Sequence, residues 1–155
     1  MERLIWSESI IEEARSARAQ VALDLRRAGV AGEVLVTGPA TMVGVLTKGD
    51  VDLHLRVAPD HFAGIIDRLS EIYRPTSLHA WAPTLAVFDI AATRPTGLAA
   101  TPVGSEHDHR FTWAWQRLRE DDDLLEQYNA LKLEHFGTDS YEERKAAFFS
   151  QIAET

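Results

Sequence analysis

The 155 residues suffice for one ordinary domain spanning 1–155, and a 45% hydrophobic share with 26% charged residues gives it both a core and a solvated surface. No cysteine is present, which excludes thiol catalysis and thiolate metal sites and fits a reducing, cytoplasmic setting. The net charge of −8, from 24 acids against 16 bases with no basic stripe, makes polymeric nucleic acid an unlikely partner and leaves small substrates open.

The opening segment MERLIWSESIIEEARSARAQ is charged from Glu2 onward and has no long apolar run, so neither a secretion signal nor a membrane span is expected. From Ser7 to Arg27, Ile10, Ile11, Ala14, Ala17, Val21 and Leu25 recur at helical spacing, with Ser7 as N-cap and Gly29 as stop. Glu33 to Thr37 reads as a first strand, and Gly38 to Gly49 as a turn-rich stretch with room for a short helix. Asp50 to Val57 (DVDLHLRV) alternates polar and apolar residues and predicts a second strand. Pro59 opens a helix to about Tyr73, proline being tolerated in a first turn.

Thr84 to Ala92 (TLAVFDIAA) predicts a third strand. Arg94 to Ser105, with two prolines and two glycines, reads as loop. The remainder is helical over about His109 to Arg119, Asp121 to Phe136 and Ser140 to Ala153, broken at Gly137. The acidic run Glu120 to Asp123 is read as a helix start rather than a site. One mixed β-sheet covered by helices, an α/β (α+β) fold, is the economical solution.

Asp50 and Asp52 stand two apart on a strand, so their carboxylates point to one face and repel each other. A divalent cation, Mg²⁺ or Mn²⁺, reverses that repulsion. Asp89 lies in an otherwise apolar strand and needs a partner, which the strand bearing Asp50 and Asp52 is expected to supply through a shared metal. Just before the pair, Gly38, Gly44, Lys48 and Gly49 punctuate a loop suited to phosphate, because glycine allows close backbone approach. The Walker spacing is absent. Arg94 follows the Asp89 strand, where it is either a phosphate contact or an ordinary loop arginine.

The order of glycine turn, acid-x-acid strand and later single-acid strand resembles the nucleotidyltransferase fold. More narrowly, GPATMVGVLTKGDVDL aligns without a gap with the GrpB-family motif, approximately GSTSVPGLAAKPIIDI, matching Gly38, Gly44, Lys48 and Asp52. LREDDDLLEQYNALK resembles that family's LR…(L)xxxYxxLK segment through Arg119, Tyr128, Leu131 and Lys132. YEERKAAF resembles its YxxxKxxF through Tyr141, Lys145 and Phe148. Two departures stand out. Pro39 replaces the serine after the first glycine, leaving Thr37 or Thr41 to supply a hydroxyl, and Asp50 stands where the family motif shows an apolar residue.

The resemblance implies a nucleotide site with Gly38, Thr41, Lys48, Lys132 and Lys145 around the phosphates, which Arg94 is expected to join from its place after the Asp89 strand, and Asp50, Asp52 and Asp89 as catalytic metal ligands. The expected activity is Mg²⁺-dependent transfer from a nucleoside triphosphate to a small acceptor. The alternative is a non-catalytic nucleotide-binding or accessory module. His54 shares a strand face with Asp52 and is either a base or a packed histidine. His107-Asp108-His109 is read as a surface cluster, and of Trp113 and Trp115 one is expected in the core and the other at a rim.

Overall fold

In the computed structural model, which describes residues 3–154, the first apolar stripe forms α1, Ile11–Arg27, and buries Ala14, Ala17, Val21 and Leu25. A short strand β1, Ile5–Trp6, and a 3₁₀ turn precede it. Ser7 does not cap the helix: its hydroxyl donates instead to the Met42 carbonyl at 2.7 Å, tying the N-terminal segment to the loop after the next strand. Gly29, at φ +71°, turns the chain after the helix as expected.

The following elements are β2 (Glu33–Thr37), β3 (Leu46–Thr47), β4 (Val51–Val57), α2 (Phe62–Ile72), β5 (Arg74–Pro75), β6 (Ala86–Ile90) and β7 (Thr96–Pro102). Three helices complete the chain: α3 (Glu106–Glu120), α4 (Asp122–His135) and α5 (Tyr141–Ala153). Five strands form one mixed sheet in the order β2-β4-β7-β6-β5, in which only β4 and β7 run parallel. β1 pairs antiparallel with β3 outside it.

The expected loop at Arg94 to Ser105 is corrected here, because most of it is β7, in the middle of the sheet. Its prolines bracket the strand or end it: Pro95 lies just before its first residue, and Pro102 is its last. Proline is tolerated at strand ends, where fewer ladder hydrogen bonds need its missing N–H. Between them, Gly97, Leu98, Ala99 and Ala100 pair with β4 on one side and β6 on the other.

Alternation then gives the sheet two faces. Leu53, Leu55, Phe88 and Leu98 point toward α1 and α2 and are almost completely buried. Truncating such a residue, Phe88→Ala for example, costs about 3–5 kcal/mol. On the opposite side the C-terminal helices build a second apolar cluster from Ala114, Trp115, Leu118, Tyr128 and Ile152 with Val45. Trp115 is the core tryptophan, while Trp113 stacks on His109 at 6.0 Å and lies under Arg117. Asp121 caps α4, accepting from the amides of Asp123 and Leu124 at 3.0 and 3.1 Å, so the acidic run is a helix start. Among the described residues no helix is long and apolar enough to cross a membrane.

Candidate functional site

The register of the sheet places one row of residues across its second face. Thr37 lies opposite Asp52, Asp52 beside Gly97, Gly97 opposite Asp89, and Asp89 opposite Arg74. Over this face α3, α4 and α5 leave a cleft of about 1120 Å³. Asp50, Asp52, Lys48, Lys132 and Lys145 all line it.

The glycine turn after β2 is fitted to Asp52. Gly38 adopts φ +70°, and a β-carbon there would lie 2.6 Å from Asp52 Oδ2. The turn continues as a short 3₁₀ segment, Gly38–Thr41, in which Thr41 Oγ1 donates back to the Gly38 carbonyl at 2.8 Å. Thr41 therefore closes the turn and is not among the residues lining the main cleft, whereas Thr37 is.

Burial pushes the Asp52 carboxyl up to about 6, and Asp50 adds to the rise, while Lys145, Lys132 and Lys48 oppose it. Lys48 reaches Asp50 Oδ2 at 3.3 Å. Lys132 is almost wholly buried and donates to the Leu46 carbonyl at 2.5 Å, its ammonium 4.6 Å from the Tyr128 ring centre. Burial, with Lys145 adding to the effect, lowers its ammonium to about 8. Lys145 is more open and reaches Glu142 at 3.3 Å. The last two helices thus fold back so that both lysines face the acidic cleft.

A residue not singled out from the sequence, Asn129, fixes the strand entering this site. Its side chain donates to the Gly44 carbonyl at 2.8 Å and accepts from the Leu46 amide at 3.0 Å. With Lys132 one turn later, α4 holds the backbone that leads to Lys48 and Asp50. The i, i+3 spacing of Asn129 and Lys132 signals a shared face; that this face meets a backbone segment more than eighty residues earlier in the chain is visible only in the fold.

Two expectations are corrected, for Asp89 and Arg94, and the open reading of His54 closes on its second alternative. Asp89 does not join Asp50 and Asp52 in a metal-holding triplet: β7 intervenes, separating its backbone from that of Asp52 by two strand spacings, about 10 Å. Its carboxylate instead meets Arg74 at 2.7 Å. Among the described residues no group of three His, Cys, Asp or Glu side chains is placed to hold a metal ion. Arg94 turns away to α1, where it pairs with Glu13 at 2.6 Å, and it does not line the cleft. His54 is packed rather than poised as a base: it is buried, bonded to Thr101 Oγ1 at 2.7 Å and set against Phe111.

Burial draws the His54 ring down to about 4, outweighing the upward pull of Asp108. Asp108 itself grips Arg56 through two bonds of 2.7 and 2.9 Å. His107 bonds to Thr84 and His109 stacks on Trp113, so the His-Asp-His run diverges in three directions.

Asp50 and Asp52 are a donor set of the size that Mg²⁺ takes where substrate phosphates would complete its shell. Such ions take one or two carboxylates and fill the remaining positions with water and phosphate oxygens. Asp50 and Asp52 share the cleft with three lysines that suit those phosphates.

No protein-family model matches the chain, and no curated protein matches its sequence. Among solved structures, it superposes on the conserved protein GrpB from Enterococcus faecalis with a TM-score of 0.72 and 13% identity, over 98% of this chain and 95% of that one. It also matches the Cid1 poly(U) polymerase in its MgGTP-bound form, with a TM-score of 0.50 and 15% identity, over 76% of this chain but 39% of that chain. The chain therefore has the fold of the Enterococcus faecalis GrpB protein and shares part of the fold of the Cid1 polymerase; in this chain that fold is a mixed five-stranded sheet with a helical C-terminal part.

Proposed function

We propose that this chain is a GrpB-type protein whose cleft binds a nucleoside triphosphate with Mg²⁺ or Mn²⁺ and transfers its nucleotidyl group to a small acceptor. The observation that carries the reading is the convergence of Asp50 and Asp52 with Lys48, Lys132 and Lys145 in one cleft. In this proposal Asp50 and Asp52 hold the metal, which would neutralise the phosphates and stabilise the leaving group. The three lysines bind phosphate oxygens, and the Gly38 turn lets the backbone approach them. The acceptor's oxygen or nitrogen forms a bond to the α-phosphorus while the bond to the bridging oxygen breaks. Pyrophosphate leaves, and the acceptor's proton passes to water in the open cleft.

A second reading, a nucleotide-binding or accessory module without chemistry, is favoured by Asp89, which pairs with Arg74 and does not join Asp50 and Asp52. The net charge of −8 favours a small acceptor over a nucleic-acid chain in either case. The test is pyrophosphate release from each of the four nucleoside triphosphates with Mg²⁺, against a panel of small alcohols, amines and carboxylates, wild type beside Asp52→Asn. Release that depends on acceptor and falls at least a hundredfold in the variant supports transfer. Equal rates in the two proteins sink it, and nucleotide binding with no turnover on any acceptor supports the module.

A further inference from the structure

Gly97 is a glycine that neither the backbone nor the packing requires. It sits mid-sheet in β7, between Asp52 on one neighbouring strand and Asp89 on the other. It is not among the glycines with positive φ, and a β-carbon added to it would meet only the Phe88 carbonyl oxygen, at an ordinary 3.9 Å. Glycine inside a strand weakens it, and it marks a bulge, a bend or a place where a ligand or another chain comes close to the backbone. The ladder through Gly97 is regular on both sides, which removes the first two explanations. What remains above Gly97 is the cleft, whose lining includes both it and Ala99.

This part of the cleft differs from the lysine-rich end. Its floor is Gly97, Ala99 and Val87, its wall includes Phe111, and Arg110 contributes a cation. Among the described residues Arg110 is held by an exposed i, i+4 contact with Glu106 at 3.4 Å, the kind of pair that contributes little and yields readily to a better partner. A slim apolar body fits the small-residue floor, and a guanidinium grips a carboxylate through two parallel bonds. A group lying over Gly97 would also be beside Asp52, one strand spacing away.

We propose that Gly97 and Ala99 floor a second subsite in the cleft, which takes a slim, apolar small molecule bearing a carboxylate, with Arg110 as the partner of that carboxylate. Assigning this molecule the part of acceptor rests on the nucleotidyl-transfer reading; the subsite itself does not. Its openness depends on the missing side chain at position 97.

Benzoate and its neutral analogue benzamide serve as probes, with binding read from backbone amide shifts in two-dimensional NMR spectra of the whole chain. In the wild type, benzoate is expected to shift the amides of Gly97, Leu98, Ala99 and Phe111 saturably, with benzamide at least fivefold weaker. Gly97→Val should weaken benzoate at least tenfold, and Gly97→Ala by a smaller factor. Both variants should melt at or above the wild-type temperature and bind ATP with Mg²⁺ within twofold of it. Arg110→Gln should erase the difference between the two probes. The subsite is overturned if benzoate gives no saturable shifts, if it binds Gly97→Val as tightly as wild type, or if benzamide matches it. Loss of ATP together with benzoate in Gly97→Val would also overturn it, because the floor would then belong to the nucleotide. Benzoate binding as expected in a protein that binds no nucleotide at all would support the subsite and sink the nucleotidyl-transfer reading alone.

Discussion

Gly38 and Asp52 are fitted to each other at closer than side-chain distance: a β-carbon on the first would stand 2.6 Å from a carboxylate oxygen of the second. Gly38 also holds φ +70°, a conformation that costs an ordinary residue about 1–2 kcal/mol. Gly38→Ala therefore imposes strain and displaces the carboxylate at once. We expect it to destabilise the chain by roughly 2 kcal/mol in urea denaturation and to weaken magnesium-nucleotide binding at least tenfold. A variant that binds nucleotide as the wild type does would separate the turn from the site.

The charges around Asp52 predict opposite pH dependences for cations and anions. Its carboxyl is raised to about 6, first by burial and then by Asp50, while Lys132 is lowered to about 8. The other charged groups that act on these two are Lys48, Lys145 and Glu142, and Asp139 and Arg110 also line the cleft. Mn²⁺ binding requires ionised Asp52, so it should strengthen roughly thirtyfold from pH 4.5 to 7. Sulfate, whose charge is constant over this range, should bind the metal-free cleft best below pH 6, weaken as Asp52 ionises, and weaken again as Lys132 deprotonates through 8. The comparison is with Asp52→Asn, in which the step near pH 6 disappears from both titrations. Parallel pH curves for Mn²⁺ and sulfate in the wild type would refute the assignment of that step to Asp52.

Lys132 and Lys145 face the same cleft from different depths, and their replacement should separate stability from binding. Lys132→Met removes a buried donor to the Leu46 carbonyl and a charge beside Asp52, so a loss of about 2–3 kcal/mol is expected. Lys145 is a third exposed and pairs with an exposed Glu142, so Lys145→Gln should change stability by less than about 1 kcal/mol. The two together should weaken nucleotide binding more than Lys48→Gln alone, read by calorimetric titration. Unchanged affinity in the double variant would reduce both to structural residues.

Much of this arrangement is legible in the sequence where the signal is local. The period of α1, the alternation in β4 and the run around Asp89 each describe how one segment meets its own surroundings. β7 is not legible that way, because its small residues and prolines have the composition of a loop; only its pairing with β4 and β6 makes it a strand. The same gap explains Asp89. Asp52 and Asp89 share a sheet face, but their separation depends on a strand inserted between them that comes later in the chain. Arg94 and Asn129 likewise reveal their partners, Glu13 and the Gly44–Leu46 backbone, only through contacts across the fold.

A last prediction follows from two buried groups whose linkages to pH oppose each other. His54 has a folded value of about 4 against an ordinary 6.5, so the native state binds fewer protons than the unfolded chain between those values. Its contribution is therefore present above pH 6.5 and is lost as pH falls toward 4, by on the order of 3 kcal/mol. Asp52 has a folded value of about 6 against an ordinary 3.8, so there the native state binds more protons. Its raised value costs stability at neutral pH, and that cost disappears as pH falls from 6 to 3.8, by on the order of 2–3 kcal/mol. Between pH 6 and 4 the two slopes largely cancel, and their combined effect in the metal-free wild type should be nearly flat. Asp52→Asn removes one slope: this variant should be more stable than wild type at pH 7 and lose that advantage toward pH 4. His54→Gln removes the other, and its stability should rise relative to wild type over the same interval. Urea midpoints measured at half-unit steps of pH test both at once. If the three proteins give parallel curves, neither group carries the linkage assigned to it; if only Asp52→Asn runs parallel to wild type, the carboxylate is not the strained group of the cleft.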